Sequence, residues 1–124
     1  MREIKFEYLA NYKDDEDVIH WHREVFSLTQ IEQGFWQDGL DACFISNPDN
    51  VYKRQFTGLK DKIGKEIYES DIVNIDGLIV PVIWYAGAWM VEYFTIPTKS
   101  YLSHFDELDV EIIGNIYENP DLLS

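Results

Sequence analysis

The run Gln55–Val73 constrains this chain more than any other stretch. Two short apolar-rich segments, Val51–Leu59 and Lys65–Tyr68, flank the charged turn Lys60-Asp61-Lys62-Ile63-Gly64. A glycine at the end of such a loop predicts a hairpin closed by a type I turn plus one residue at positive φ, where a Cβ is costly. A second turn at Glu69-Ser70-Asp71 returns the chain to an extended run at Ile72 and Val73. Turn chemistry accounts for every residue type in the stretch.

The rest of the chain reads as more strands. Ile4, Phe6 and Tyr8 alternate with Lys5, Glu7 and Leu9, the pattern of a strand with one buried face. Asn11–Asp17 reads as a polar, acidic loop. Val18–Arg23 resumes alternation, and Glu24–Leu28 reads as a short strand or its continuation. Gln33-Gly34 and Asp38-Gly39 punctuate the next stretch. Ala42–Ile45 is short, apolar and strand-like, and Ser46–Asn50 is a turn cluster around Pro48. Asp76-Gly77 predicts a tight hairpin turn between Ile72–Ile75 and Leu78–Tyr85. Pro81 places the second of these strands at an edge or a bulge. Ala86-Gly87 turns the chain into Ala88–Ile96. Pro97–Ser100 reads as a loop, Tyr101–Leu108 as one or two helical turns, and Val110–Tyr117 as a strand crossed by Gly114. Asn119-Pro120 reads as an N-cap followed by proline at the first helical position.

These are about eight short strands with turns every eight to twelve residues, the spacing of an all-β barrel or sandwich. The expected fold is mainly β: a compact, SH3-like, partly open β-barrel with additional N-terminal strands and one or two short helical turns. The chain has 124 residues and is 46% apolar and 15% aromatic, enough for one core. No linker or repeat interrupts it. It reads as one domain, with residues 1–50 packed as a β extension on a core of residues 51–124.

Ten basic and 23 acidic residues give a net charge of −13, and the distribution is uneven. Lys53, Arg54, Lys60, Lys62 and Lys65 hold half of the basic charge. Beyond Lys65 only Lys99 is basic, against eleven carboxylates. So acidic a chain repels phosphate backbones unless one basic face stands apart, which disfavours nucleic acid as a partner. No apolar run approaches the ~20 residues of a membrane span. The N-terminus reads as a charged strand and not a signal peptide, and the one cysteine, Cys43, has no internal partner. A reducing cytoplasm is the expected location.

Candidate chemistry is sparse. His20 and His22 fall on one face of a strand, because the side-chain period is two. Zinc would need two further ligands, and Cys43 and His104 lie in no recognisable ligand spacing. Asp61, Glu66, Glu69 and Asp71 crowd the central turns. Paired carboxylates can hold a cation or move protons. Here they alternate with lysines, so cross-strand charge pairing is simpler, and Asp71 is placed to bond turn amides. No serine sits in a nucleophile elbow, and no glycine loop is followed by Gly-Lys-Ser/Thr. No catalytic residue, cofactor or metal is assigned. Tyr85 and Trp89 flank the Ala86-Gly87 turn and read either as a partner patch or as a cross-strand aromatic pair in the core.

The residues Gln55–Val73 resemble the signature of the YopX family, which runs approximately TGLKDKNGKEIYEGDIV. Residues Ile112–Leu123 are similar to its closing IGNIYENPELL, and Met1–Phe6 also fits. The resemblance implies a mainly β protein encoded by phages and prophages of mostly Gram-positive bacteria, and carries no established activity or catalytic residue. Ile63 stands where the pattern has Asn, and Ser70 where it has Gly. The second departure predicts a non-glycine residue at positive φ. The expected function is that of a non-enzymatic phage or prophage accessory protein. It would bind a host or phage protein or assemble with itself as a homo-oligomer. Its expected surface comprises Lys53, Arg54, Lys60, Lys62, Lys65, Tyr85 and Trp89. The alternative is nucleic-acid binding through the Lys53–Lys65 hairpin, with Tyr52 and Phe56 as stacking platforms.

Overall fold

The computed structural model describes residues 4–33, 50–93 and 98–123. The expected strand Ala42–Ile45, Cys43, the turn around Pro48 and the two glycine breaks at positions 34 and 39 lie outside the described residues. The chain forms two compact units, Met1–Gln55 and Phe56–Ser124.

In the first unit β1 (Lys5–Lys13) lies between β2 (Ile19–Ser27) and the first half of β3 (Asn50–Lys60). Both ladders are antiparallel. The β1–β2 register runs unbroken from Lys5↔Ser27 to Lys13↔Ile19, and β1 meets β3 from Phe6↔Gln55 to Asn11↔Asn50. The central position changes the burial expected from alternation. Glu7, Tyr8, Leu9 and Ala10 are all buried, so β1 hides both faces and not one. Asn11–Lys13 belongs to the strand and not to a loop, because Tyr12 stacks on His20 of the neighbouring strand at 5.0 Å. Tyr8 meets Phe26 edge-on at 5.7 Å on the same face. The short helix α1 (Leu28–Glu32) follows β2, where a strand end was expected. It opens on a capping box: Gln30 N–H donates to Ser27 Oγ at 3.2 Å, and Ser27 N–H donates to Gln30 Oε1 at 2.9 Å.

The second unit contains the rest of β3, β4 (Glu66–Tyr68), and a five-stranded sheet. The sheet is built from β5 (Asp71–Ile75), β6 (Leu78–Tyr85), β7 (Ala88–Glu92), β8 (Lys99–Tyr101) and β9 (Val110–Asn115). Its order is β8-β7-β6-β5-β9, all antiparallel, and it curls into the half-barrel expected from the strand spacing. Two tight turns drive this meander. Asp76 and Gly77 have φ of 52° and 91°, and Ala86 and Gly87 have φ of 51° and 82°. Positive φ at both central residues is the type I′ turn that matches strand twist. The half-barrel closes on Ile67, Val73, Val80, Val82, Trp89, Val91, Leu102 and Val110.

Two local expectations hold and one changes. β6 is central in the sheet, but at Pro81 it is paired on one side only, the local edge that the proline predicted. The ladder to β5 ends at Ile72↔Pro81 and the ladder to β7 starts at Val82↔Val91, so the proline sits where β6 changes partner. Residues Lys99–Tyr101 form β8 and not a loop, because they pair with Met90–Glu92. The helical turns near Tyr101–Leu108 are two 3₁₀ turns, Leu102–His104 and Glu107–Asp109. Asp106 Oδ1 caps the second by accepting from Leu108 N–H at 3.0 Å.

Ser70 has φ of 69°, as the departure from glycine predicted. Its N–H donates to Val82 O at 2.8 Å and its carbonyl accepts from Ile116 N–H at 3.0 Å, so the backbone cannot relax to a negative φ without breaking both. Ser70→Gly is therefore expected to stabilise the protein by roughly 1 kcal/mol, read as a higher midpoint in a thermal melt.

Candidate functional site

The central hairpin closes as its sequence predicts. Asp61 N–H donates to Lys65 O at 2.8 Å, Gly64 N–H donates to Asp61 O at 3.0 Å, and Gly64 has φ of 83°. The Asp61 side chain then does more than turn the corner. Its Oδ1 accepts from Ile63 N–H at 3.1 Å and from Lys65 N–H at 2.9 Å. Its Oδ2 accepts from Ile112 N–H of β9 at 3.2 Å. Beside it Lys62 N–H donates to Val110 O at 2.8 Å. The carboxylate is 2% exposed and three backbone amides hold it. Thr57 acts similarly one turn earlier: its hydroxyl donates to Ile67 O at 2.7 Å and accepts from Leu59 N–H at 3.1 Å. Gly58, with φ of 86°, lies in the bulge between Phe56↔Tyr68 and Lys60↔Glu66. Asp71 Oδ2 accepts from Tyr68 N–H at 2.8 Å, the turn-amide role read from the sequence.

The C-terminal motif is a second set of backbone ties. Asn115 is buried, and its Oδ1 accepts from Tyr117 N–H at 3.0 Å and Glu118 N–H at 2.8 Å. Asn119 Oδ1 accepts from Asn115 N–H at 3.2 Å, so it reaches backwards and does not cap the 3₁₀ turn Pro120–Leu123 as expected. Gly114 makes room for it, since a Cβ there would lie 2.5 Å from Asn119 Oδ1.

The residues expected to form a partner surface do not share one role. Arg54 is not on the surface: it is 3% exposed and ion-paired to buried Glu7, the residue directly across the ladder. Side-chain alternation carries it inward while Lys53 points outward over the Phe6 ring at 4.4 Å. Trp89 belongs to the core, in edge-on contact with half-exposed Trp84 at 4.7 Å. Tyr85 is exposed, with Lys99 Nζ 4.3 Å from its ring centre. Lys60 and Lys65 are exposed. Lys62 pairs with Glu111 at 2.6 Å, and that hydrogen bond raises its pKa above the ordinary lysine value. Phe56, the second proposed stacking platform, is buried against Tyr68, and Tyr52 stacks on Trp21.

The YopX protein family model matches residues 4–124. The chain belongs to the YopX family. It is similar over the full length of both chains to the crystal structure of protein EF1440 from Enterococcus faecalis, with 19% identity and a TM-score of 0.54. It is also similar to the crystal structure of protein yopX from Bacillus subtilis. That match has 15% identity and a TM-score of 0.47, and covers 97% of this chain and 98% of the other. No curated protein matches the chain. The likeness to EF1440 supports the fold. In the YopX motifs of this chain, the side chains of Asp61, Asp71, Asn115 and Asn119 each accept from backbone amides.

The histidines do not converge. His20 Nε2 is 2.8 Å from Asp14 Oδ2, and His22 Nε2 is 3.4 Å from Glu24 Oε1. His104 is exposed against Tyr101. Among the described residues no three His, Cys, Asp or Glu side chains come together as metal ligands. A cavity of about 130 Å³ in the second unit is lined by Leu59, Ile67, Leu102, Phe105 and Val110, with Lys60 and Glu107 among its polar residues.

Two outcomes follow from this geometry. Asp61→Ala leaves three amides without their acceptor, two of them in the turn, and is expected to cost about 3 kcal/mol or more in urea unfolding. The carboxyl of Asp14 is held below its ordinary pKa, chiefly by the hydrogen bond from His20 and then by Val18 N–H. A lowered folded-state pKa means that this contribution is present above the unfolded value of roughly 3.9 and is lost as pH falls through the folded one. Asp14→Asn is therefore expected to flatten the acid side of the stability–pH curve, followed by urea unfolding from about pH 2 to 5.

Proposed function

We propose that this YopX-family chain is a non-enzymatic module that works by protein contact, either with a second copy of itself or with a host or phage protein. A phage or prophage accessory role in the bacterial cytoplasm fits that reading. One observation carries it. Four polar side chains of the family motifs, Asp61, Asp71, Asn115 and Asn119, are engaged with backbone amides, while large apolar side chains stand in water. Trp84 is 49%, Tyr85 51% and Tyr101 47% exposed, and Ile63 at the hairpin tip is 78% exposed. Aromatic side chains in that position are typical of contact surfaces. The nucleic-acid alternative is weakened because Arg54 and Phe56, two of its intended contacts, are buried. No helix of the described residues is long and apolar enough to cross a membrane.

Self-assembly is tested by multi-angle light scattering at low and high salt. An oligomer in at least one condition is expected; a monomer in both removes the self-assembling form of the proposal. Retardation of single-stranded DNA at low salt would promote the alternative.

A further inference from the structure

The hairpin tip Lys60–Lys65 and the 3₁₀ turn Glu107–Asp109 lie side by side at one end of the second unit. Lys60 and Glu107 line the same cavity, and Lys62, Leu108 and Asp109 line a second hollow. Lys62 N–H donates to Val110 O at 2.8 Å and the Lys62 side chain bridges to Glu111, which joins tip to turn. Neither is loose: Asp61 fixes the tip through three amides, and Asp106 caps the turn. Ile63 on the tip is 78% exposed and Leu108 on the turn 69%, the two highest values for large apolar side chains among the described residues. The charges around them are sorted. Lys60 and Lys65 belong to the tip, Glu107 and Asp109 to the turn, and all four are exposed. Among the described residues these four side chains enter no hydrogen bond or ion pair. A single exposed apolar side chain is ordinary, but two on adjoining rigid turns, flanked by charges without partners, mark a contact surface.

We propose that this end of the molecule binds the same end of a second copy, about a two-fold axis running between tip and turn. This rests on the self-assembly reading and names the surface that serves it. A face that is basic on one side and acidic on the other is complementary to itself under such a rotation, because each side falls opposite the other. Lys60 and Lys65 then face the partner's Glu107 and the partner's Asp109, and Ile63 faces the partner's Leu108, twice over by symmetry. The charge pairs set the register. Burial of the apolar pairs supplies the attraction that two bodies of −13 need. The interface is small, so the dimer is weak and concentration-dependent.

The test is an exchange of charge, followed by light scattering up to about 1 mM protein in physiological salt. Lys60→Glu with Lys65→Glu makes both sides of the face acidic, and Glu107→Lys with Asp109→Lys makes both sides basic. The parent is expected to dimerise and each variant alone to be a monomer. An equimolar mixture of the two variants is expected to dimerise again, since acidic sides then meet basic ones. Ile63→Asp should also give a monomer while circular dichroism remains native, because that side chain lies outside the core. A parent oligomer that all three variants leave intact overturns this face and leaves self-assembly standing. Monomeric charge variants whose mixture stays monomeric overturn the two-fold pairing. A parent that is monomeric throughout overturns both this interface and the self-assembling form of the proposed function.

Discussion

A single buried carboxylate organises the second unit. Asp61 binds two amides of its own hairpin turn and one amide of β9, 51 residues later in sequence. Bonds to an ionised acceptor are the stronger class, and here they replace most of the water the carboxylate gave up. The hairpin tip thereby becomes the cover of the β9 edge. Lys62 adds a backbone bond to Val110 and a side-chain bridge to Glu111 at the same junction. The Asp-Lys-Ile-Gly turn is thus both a local reversal and a long-range clasp, and only the first role is visible as turn chemistry.

The first unit depends on a different buried charge. Glu7 and Arg54 face each other across the β1–β3 ladder, and both are nearly inaccessible. Such a pair adds little net stability against an apolar pair of the same shape, but breaking it strands a charge. A slip of one residue between β1 and β3 would flip every side chain of one strand to the other face and part Glu7 from Arg54. Its clearest physical consequence is therefore register. β1 needs that device because it is buried on both faces and offers weak alternation to choose between them.

The meander of the second unit was legible in the sequence because its turns are made of residues chosen for φ. Asp76-Gly77, Ala86-Gly87 and Gly64 fall where expected, and Ser70 takes the strained conformation its departure from glycine implied. The first unit was less legible. Alternation shows a strand with one wet face, whereas the centre of β1 has none, and the Ser27–Gln30 capping box follows directly on a run that reads as strand. Pro81 was legible too: it falls where β6 is paired on one side only, as a residue without an N–H implies. The surface set loses Arg54 to periodicity: Lys53 and Arg54 are adjacent in sequence and therefore opposite in the sheet. Trp89 resolved to the core reading, because the Ala86-Gly87 turn presses it beneath Trp84.

This redistribution bears on how the molecule can meet a partner. The cluster of five basic residues suggested a charged face set against an acidic remainder. In the fold Arg54 is matched by Glu7, Lys62 by Glu111, and Lys53 lies on Phe6. Three of the five basic side chains are thus engaged close to where they arise, and the excess of carboxylates dominates the field around the chain. Two such bodies repel at long range, and screening by salt weakens that repulsion. Any contact with another acidic body must then draw on short-range terms, chiefly apolar burial. Half-exposed aromatic rings such as Trp84, Tyr85 and Tyr101 supply that term, and the charges of a basic hairpin do not.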